Sequence, residues 1–428
     1  KIDMAAIKDT SRTSAESALP DHLPGRQITI QQAVDYCTAV RNARMPKERV
    51  PLNLALERVV RENVLSQNPV PPFSKSLVDG YAIKYPDENG VSDSCAVCLR
   101  VKGRMAAGDM PGARLSPGEA VRIMTGAPIP AGTDRVVKNE DVTNSGASVF
   151  IRSGDAKNPF ILQAGADVQK NSLILSAGAV VKPADIAMMA ACGCKSLRVS
   201  IKPNIGIVSI GNEISPAVCN PNPGQSWDVI GPLVSALSQK AGATAGAVLN
   251  AADNIDEIMA AVMRLSHCDL IILIGGMANG DFDLTRAALK TLGIQNRLAG
   301  IEVQSTRRVF YGDFNSRPVW ALSGPAAAVM TNFLLLIRPV IDYIMGKSVC
   351  GLRTGVLPLL TNLQVSGRNK QFLPGVLNWH DGQTRVMLFD EQRFGYFTPM
   401  QAADVLVELP PDQSEFNAGH RVKVYYIE

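Results

Sequence analysis

The chain has 428 residues, of which 46% are hydrophobic, and carries 43 Lys and Arg against 39 Asp and Glu for a net charge of +4. That length exceeds what one hydrophobic core usually serves, so several domains are expected, and it leaves ample apolar material for each. The mild charge, with no basic run interleaved with aromatics, excludes nucleic acid as an expected partner.

Residues 1–24 are polar and lack periodicity, which predicts a loose N-terminal extension. Thr29-x-x-Gln32 has the form of a capping box, and Ile30, Val34 and Cys37 follow at helical spacing. Leu52, Leu56, Val59 and Val60 predict a second helix that ends near Asn63, ahead of the proline cluster Pro69 to Pro72. From 71 to 164 Gly and Pro recur between short apolar runs (Ala96 to Val101, Val136 to Val137, Ser148 to Ile151), the texture of an all-β module. Pro183-Ala184-Asp185 then opens a helix carrying Ile186, Met189 and Ala190. A helical linking domain assembled from 25–70 and 165–202, interrupted by a β insertion at 71–164, is the expected arrangement.

Residues 203–345 alternate. Ile205 to Ile210, Thr244 to Leu249, Leu270 to Ile274 and Val319 to Leu322 read as strands. Leu233 to Gln239, the 255–265 stripe, a stretch from Asp283 and one from about Pro325 read as helices. Strands alternating with helices predict a parallel sheet covered on both faces, a three-layer α/β/α domain. The longest apolar run, about Val329 to Ile341, is interrupted by Thr331, Asn332, Arg338 and Pro339 and reads as a buried helix, not a membrane span. From 346 to 428 the chain is β again, with a hairpin at Asp381-Gly382 and a closing strand over 420–427. The expected fold class is therefore multidomain α/β plus β, with a barrel-like C-terminal β domain.

No charged-then-apolar leader opens the chain, and its eight cysteines fit the reducing cytoplasm. Cys95/Cys98 and Cys192/Cys194 are the close pairs; with four histidines in the whole chain, buried thiols are favoured over a zinc site. In the β module, Asp79-Gly80 puts a carboxylate at a forced turn after Pro71-Pro72, and Val121 to Pro130 carries Thr125-Gly126. In the α/β domain three strands end in polar or glycine-rich loops: 209–213, 275–283 and 322–326. In a parallel sheet these emerge on one edge, where ligands bind. Glycines admit close backbone approach, helix N-termini favour anions, and Glu213 and Asp283 add hard oxygen ligands suited to Mg2+. A phosphate-bearing substrate bridged by a metal fits that set. Taken singly, each loop is equally an ordinary turn, and Asp283 equally a helix cap.

The segments Pro71 to Ala82 and Val121 to Pro130, in this order, resemble those of the molybdopterin molybdenumtransferases, a family that includes the C-terminal domain of gephyrin. The resemblance extends from about residue 27 to the C-terminus. Ile210-Gly211-Asn212-Glu213-Ile214 stands for the family's Thr-Gly-Asp/Asn-Glu-Leu, and Pro223-Gly224-Gln225 leads to Asp228-Val229-Ile230 where the family has Asp-Ser-Asn. Asp253-Asn254 matches an Asp-Asp before a helix, and Gly275 to Asp283 matches Gly-Gly-Val-Ser-x-Gly-x-x-Asp.

The resemblance implies a molybdopterin-binding α/β domain and the last step of molybdenum cofactor synthesis. In that step molybdate is inserted into adenylylated molybdopterin, with cleavage of the pyrophosphate bond and release of AMP. It implies metal and pyrophosphate contacts from Glu213, Asp253 and Asp283. Substrate contacts are implied for Gly211, Asp228, Gly275, Gly276 and Gly324. Asp79 and Thr125 are implied to act from the β module across the interface of an elongated homodimer. The sequence departs from the family at several ligand-facing places. Gln304-Ser305-Thr306-Arg307 replaces Pro-Gly-Lys-Pro; Leu322-Ser323-Gly324-Pro325-Ala326 replaces Leu-Pro-Gly-Asn-Pro; Ala278 replaces serine, Ile230 asparagine and Leu162 arginine; Ala166 stands before Asp167 where an acidic residue is usual. One expectation is a working transferase in which Arg307 or Arg308 supplies charge to an oxyanion. The alternative is a divergent paralogue that keeps the scaffold and pterin or nucleotide binding without efficient insertion, or that serves as a binding scaffold.

Overall fold

The computed structural model describes residues 29–40, 44–84, 97–112, 114–151, 158–216, 218–277, 284–298, 301, 309–365, 369–389 and 397–427. By its contacts the chain divides into two compact units: Lys47–Val199, and Lys1–Pro46 together with Ser200–Glu428.

In the larger unit the chain opens with α1 (Ile30–Val40), capped as expected: Gln32 N donates to Thr29 Oγ1 and Thr29 N to Gln32 Oε1. Ala33, Val34 and Cys37 are buried.

The smaller unit holds a six-stranded sheet of β1 (Gly80–Ile83), β2 (Val97–Met105), β3 (Glu119–Ile123), β4 (Arg135–Lys138), β5 (Val142–Ser145) and β6 (Ser148–Ile151), in the order β4-β1-β3-β2-β6-β5. Side chains alternate across a strand, so Tyr81 and Ile83 join one core with Leu99, Val137 and Ile151. Ala82 joins another with Met105, Ile123 and Val136.

The helix expected over 52–63 is not formed. Leu52–Leu54 is one 3-10 turn, Glu57 takes φ of 61°, and Val59 and Val60 bridge to Val180 and Val199. A positive φ breaks a helix, and two adjacent β-branched residues favour extended pairing. Leu56, an expected member of the helical stripe, is exposed. The one α-helix described in this unit is α2 (Pro183–Ala191), whose Asp185 side chain accepts from Lys182 N. Cys192 and Cys194 are free thiols in the apolar core beside it, as expected. Cys98, expected to be a buried thiol, is instead an exposed free thiol on β2, and its neighbour Cys95 lies outside the described residues.

The α/β part of the larger unit is built from β7 (Asn204–Ile210), α3 (Ile230–Lys240), β8 (Thr244–Ala251), α4 (Ile255–Arg264), β9 (Leu270–Ile274), α5 (Leu284–Thr291), β10 (Val309–Phe314), β11 (Arg317–Leu322), α6 (Ala326–Asn332) and α7 (Arg338–Met345). The sheet order is β8-β7-β9-β11-β10. The first four strands are parallel and β10 is antiparallel to β11. Val208, Ile210, Ile271 and Leu273 share a core with α4 and α5, while α3 packs on α6, which makes three layers. The edge strand β10 was not anticipated. Its two-residue turn, Asn315-Ser316 with φ of 51° and 62°, lacks the glycine that usually marks such hairpins.

Residues 326–345 are long and apolar enough to cross a membrane, yet most of them are buried in the fold, in keeping with the buried helix read from the sequence. The helix α1, expected to join 165–202, packs instead on α7, and Met45 N donates to Ile344 O at 2.8 Å.

The C-terminal part is an antiparallel sheet of β12 (Thr354–Pro358), β13 (Gln371–His380), β14 (Gln383–Leu388), β15 (Val405–Leu409) and β16 (Arg421–Tyr426), in the order β12-β16-β15-β13-β14. Leu359 bridges back to Val386, so the sheet curls toward closure around Val386, Val407, Leu409 and Val424. The expected turn forms at Asp381-Gly382, with φ of 48° and 73°.

Candidate functional site

The carboxyl ends of β7, β8, β9 and β11 meet at a cleft of about 720 Å3. Its rim holds Asn212 and Glu213 after β7 and Asp253 after β8; Gly275, Gly276 and Gly324 follow β9 and β11. The loops are tied to one another. Asn212 N donates to Asp253 Oδ2 (3.2 Å) and Asp253 N donates to Asn212 Oδ1 (3.1 Å), a reciprocal clasp between two strand ends. Gln225 Nε2 donates to Asn212 O (3.0 Å) and Ser226 N to Glu213 O (2.8 Å), which folds the 213–228 excursion against the rim. The Glu213 carboxylate lies over Gly211, where a Cβ would fall 2.6 Å from Oε2.

Gly275 is obligatory in this geometry. Its φ is 105°, and a Cβ there would sit 2.1 Å from Ile210 O, a main-chain atom that cannot step aside. Thr285, at the start of α5, donates through Oγ1 to Gly275 O (2.9 Å) and through N to Gly276 O (3.2 Å). These bonds lock the glycine turn to the helix start. Beside Gly324 a Cβ would meet nothing within 4 Å, so that loop is open to a ligand.

Asp228 does not line the cleft. It is 4% exposed, and Oδ1 accepts from Ile230 N (3.0 Å) and Gly231 N (2.9 Å) while Oδ2 accepts from Asn250 Nδ2 (3.2 Å). Its carboxylate caps the start of α3, and Ile230 is the residue of that motif that lines the cleft. The asparagine-to-isoleucine departure thus puts an apolar side chain on the cleft wall.

In the smaller unit, Thr125 donates through both its amide and its hydroxyl to Asp79 Oδ1, each at 2.7 Å. The Asp79 carboxyl is held below the usual aspartate range first by that amide, then by the hydroxyl; desolvation opposes them, and the charge of Arg122, the smallest of these effects, adds to the lowering.

The structure therefore gathers Gly211, Glu213, Asp253, Gly275, Gly276 and Gly324 at one edge, and pairs Asp79 with Thr125 in the other unit. Asp283, Arg307 and Arg308 lie outside the described residues, as do Ala278 and 304–306. Among the described residues no three His, Cys, Asp or Glu side chains converge as a metal cage. Sequence reasoning gave no role to Asn212, Gln225 or Thr285. Asn212 and Gln225 stood inside quoted motifs, and Thr285 follows the glycine loop at a helix start, where a hydroxyl commonly bonds main chain.

Such an edge can seat an anionic group against the glycine turns and a hard cation against the carboxylates. Three family profiles match the chain in succession: the MoeA N-terminal region (domain I and II) over 28–193, the probable molybdopterin binding domain over 206–343, and the MoeA C-terminal region (domain IV) over 357–427. A molybdopterin molybdenumtransferase of Staphylococcus epidermidis is 26% identical over 89% of this chain and 91% of its own length. One from Staphylococcus aureus is 26% identical over 94% and 96%. Two structures of the molybdopterin biosynthesis MoeA protein from Pyrococcus horikoshii superpose on 94% of this chain and 100% of theirs, with TM-scores of 0.81 and 0.78 at 26% and 21% identity.

Proposed function

This chain belongs to the MoeA family of molybdopterin molybdenumtransferases, and we propose that it completes molybdenum cofactor synthesis by inserting molybdate into adenylylated molybdopterin with release of AMP. The observation that carries this reading is the clasped rim of Glu213, Asn212 and Asp253 facing the Gly275-Gly276 turn at the carboxyl edge of the parallel sheet. The glycine turn lets backbone approach the phosphates, and the α5 N-terminus favours their charge. The alternative of a scaffold without insertion is not favoured, because relatives named as the transferase match along nearly the whole chain.

Glu213 and Asp253, with Asp283, are the residues that would hold Mg2+. The donor set fits that ion, which prefers one or two carboxylates plus substrate phosphates and keeps several waters, so no three-carboxylate cage is required. Held there by these carboxylates, Mg2+ would neutralise phosphate charge and polarise the bond to AMP. Arg307 and Arg308 supply positive charge to molybdate, and the ionised Asp79 fixed by Thr125 offers a prepositioned acceptor. The protein works as a cytoplasmic homodimer. Supporting this, Leu65 and Leu173 are cross-strand partners that remain 48% and 54% exposed, an apolar pair suited to a second copy.

The test is to incubate the purified chain with adenylylated molybdopterin, Mg2+ and molybdate, and to follow AMP release and molybdenum incorporation. Molybdate-dependent AMP release is expected, falling about 100-fold in Glu213→Ala or Asp253→Ala. No molybdate-dependent AMP release by the unaltered protein would overturn the reading.

A further inference from the structure

Arg104 and Arg122 are Cα partners on the adjacent strands β2 and β3. Both are exposed. Like charges directly opposite on neighbouring strands repel and destabilise the pair. On the same two strands, Lys102 meets Glu119 at 2.9 Å, the ordinary way to place a cation there. Among the described residues the guanidinium groups of Arg104 and Arg122 have no such partner and make no ion pair or hydrogen bond. The sheet thus places two positive side chains side by side on strands about 5 Å apart, neither of them in an ion pair among the described residues.

The place of this pair gives it meaning. On its other side Arg122 is the cross-strand partner of Tyr81, two residues beyond Asp79. Thr125 lies three residues beyond Arg122 and bonds Asp79 twice. Arg122 is close enough to act electrostatically on the Asp79 carboxyl, after the larger effects of the Thr125 amide and hydroxyl. One carboxylate does not balance two guanidinium groups, so the corner keeps an excess positive charge beside a fixed hydrogen-bonding pair.

We propose that Arg104 and Arg122 form a two-pronged oxyanion site that grips a phosphate of the substrate beside Asp79 and Thr125. Guanidinium forks match phosphate oxygens in pairs, and two forks from adjacent strands can hold one phosphoryl group from two directions. Binding removes the mutual repulsion that the free protein carries, so the repulsion is converted into affinity. The identity of the substrate rests on the transferase reading above; the anion site itself does not. Molybdate is also a tetrahedral oxyanion, and the test separates it from phosphate. In this arrangement both arginines touch the substrate directly, as binding residues.

The experiment is calorimetric titration of the full-length protein with inorganic pyrophosphate and, separately, with molybdate. The proteins are the unaltered chain, Arg104→Ala, Arg122→Ala, Arg104→Gln, Arg122→Lys, and Lys170→Ala as a remote basic control. Each arginine-to-alanine change is expected to weaken pyrophosphate about tenfold or more, the scale of one charge-assisted bond. Arg122→Lys should recover only part of this, because an ammonium cannot fork. Lys170→Ala should stay within about twofold. In the absence of ligand the Tm of Arg104→Ala and Arg104→Gln should equal or exceed that of the unaltered protein, since a repulsion is gone. With substrate, KM should rise more than kcat falls. Pyrophosphate binding within about twofold of normal in both alanine variants, equal loss in Lys170→Ala, or loss confined to molybdate would each overturn the proposal. A protein that binds pyrophosphate through this pair yet releases no AMP would sink the transferase reading and leave the site standing.

Discussion

At the scale of single residues, two glycines of the cleft make opposite demands. Gly275 has φ of 105° and a would-be Cβ 2.1 Å from Ile210 O, whereas Gly324 faces open space. Gly275→Ala is therefore expected to destabilise by about 3 kcal/mol or more. Gly324→Ala should stay within about 0.5 kcal/mol while still obstructing a ligand, and urea unfolding of the two variants checks the contrast. Asp79 permits a pH prediction. Its folded pKa is depressed by the Thr125 amide, then by the Thr125 hydroxyl, so the bonded carboxylate contributes above the ordinary aspartate value and that contribution is lost as pH falls through the lower folded value. Thr125→Val, which keeps the amide and removes the hydroxyl, should raise the Asp79 carboxyl titration seen by carbon NMR. An unmoved titration would show that the hydroxyl does not matter. The residues carrying these effects were legible unevenly. Asp79 and Thr125 stood in quoted motifs, but the bond between residues 46 apart in sequence follows only from antiparallel pairing of β1 with β3.

At the scale of elements, the helix ends do most of the positioning. Asn254 caps α4 by accepting from Asp256 N and Glu257 N, directly after the rim residue Asp253. Asn254→Ala is expected to cost about 1 kcal/mol. At the end of α7, Asp342 is 1% exposed and holds Lys347 and the Gly351 amide, while Lys347 also reaches Ala241 O after α3. Removing one member of a buried ion pair strands the other, so Asp342→Ala should cost about 3–5 kcal/mol by urea unfolding, and a loss under 1 kcal/mol would mean that the pair is solvated. Periodicity found α1, α3, α4 and the buried strands because their stripes are long and regular. It failed at 52–63, where Leu52, Leu56, Val59 and Val60 have helical spacing but pairing to Val180 and Val199 prevails. Those partners lie more than 100 residues away, beyond the reach of any local pattern.

For the whole molecule, the division into Lys47–Val199 and the remainder predicts that unfolding is not a single two-state event. Calorimetry should show more than one transition, and one transition with equal calorimetric and van't Hoff enthalpies would contradict it. The exposed Leu65 and Leu173 pair makes a second prediction at this scale. Leu65→Lys should shift the protein from dimer to monomer in sedimentation, because a lone ammonium cannot be buried against a second apolar copy without large cost. A chain that is already monomeric before substitution would refute the homodimer.

The sequence by itself determined the class of the β insertion, the α/β domain and the C-terminal β domain, but not that of the linking segment, where 52–63 pairs as extended chain. Alternation of strands and helices over 203–345 specified a parallel sheet, and with it the edge at which Glu213, Asp253 and Gly275 emerge, because side-chain period and connection length are local properties. Tertiary structure alone decided what each polar group does there. Asp228 and Asp253 both stand in family motifs, yet Asp228 is drawn inward to cap α3 while Asp253 is clasped by Asn212 at the rim. That choice depends on which unpaired main-chain amides lie within hydrogen-bond reach once the strands are packed, and distance between segments remote in sequence is a property of the folded chain.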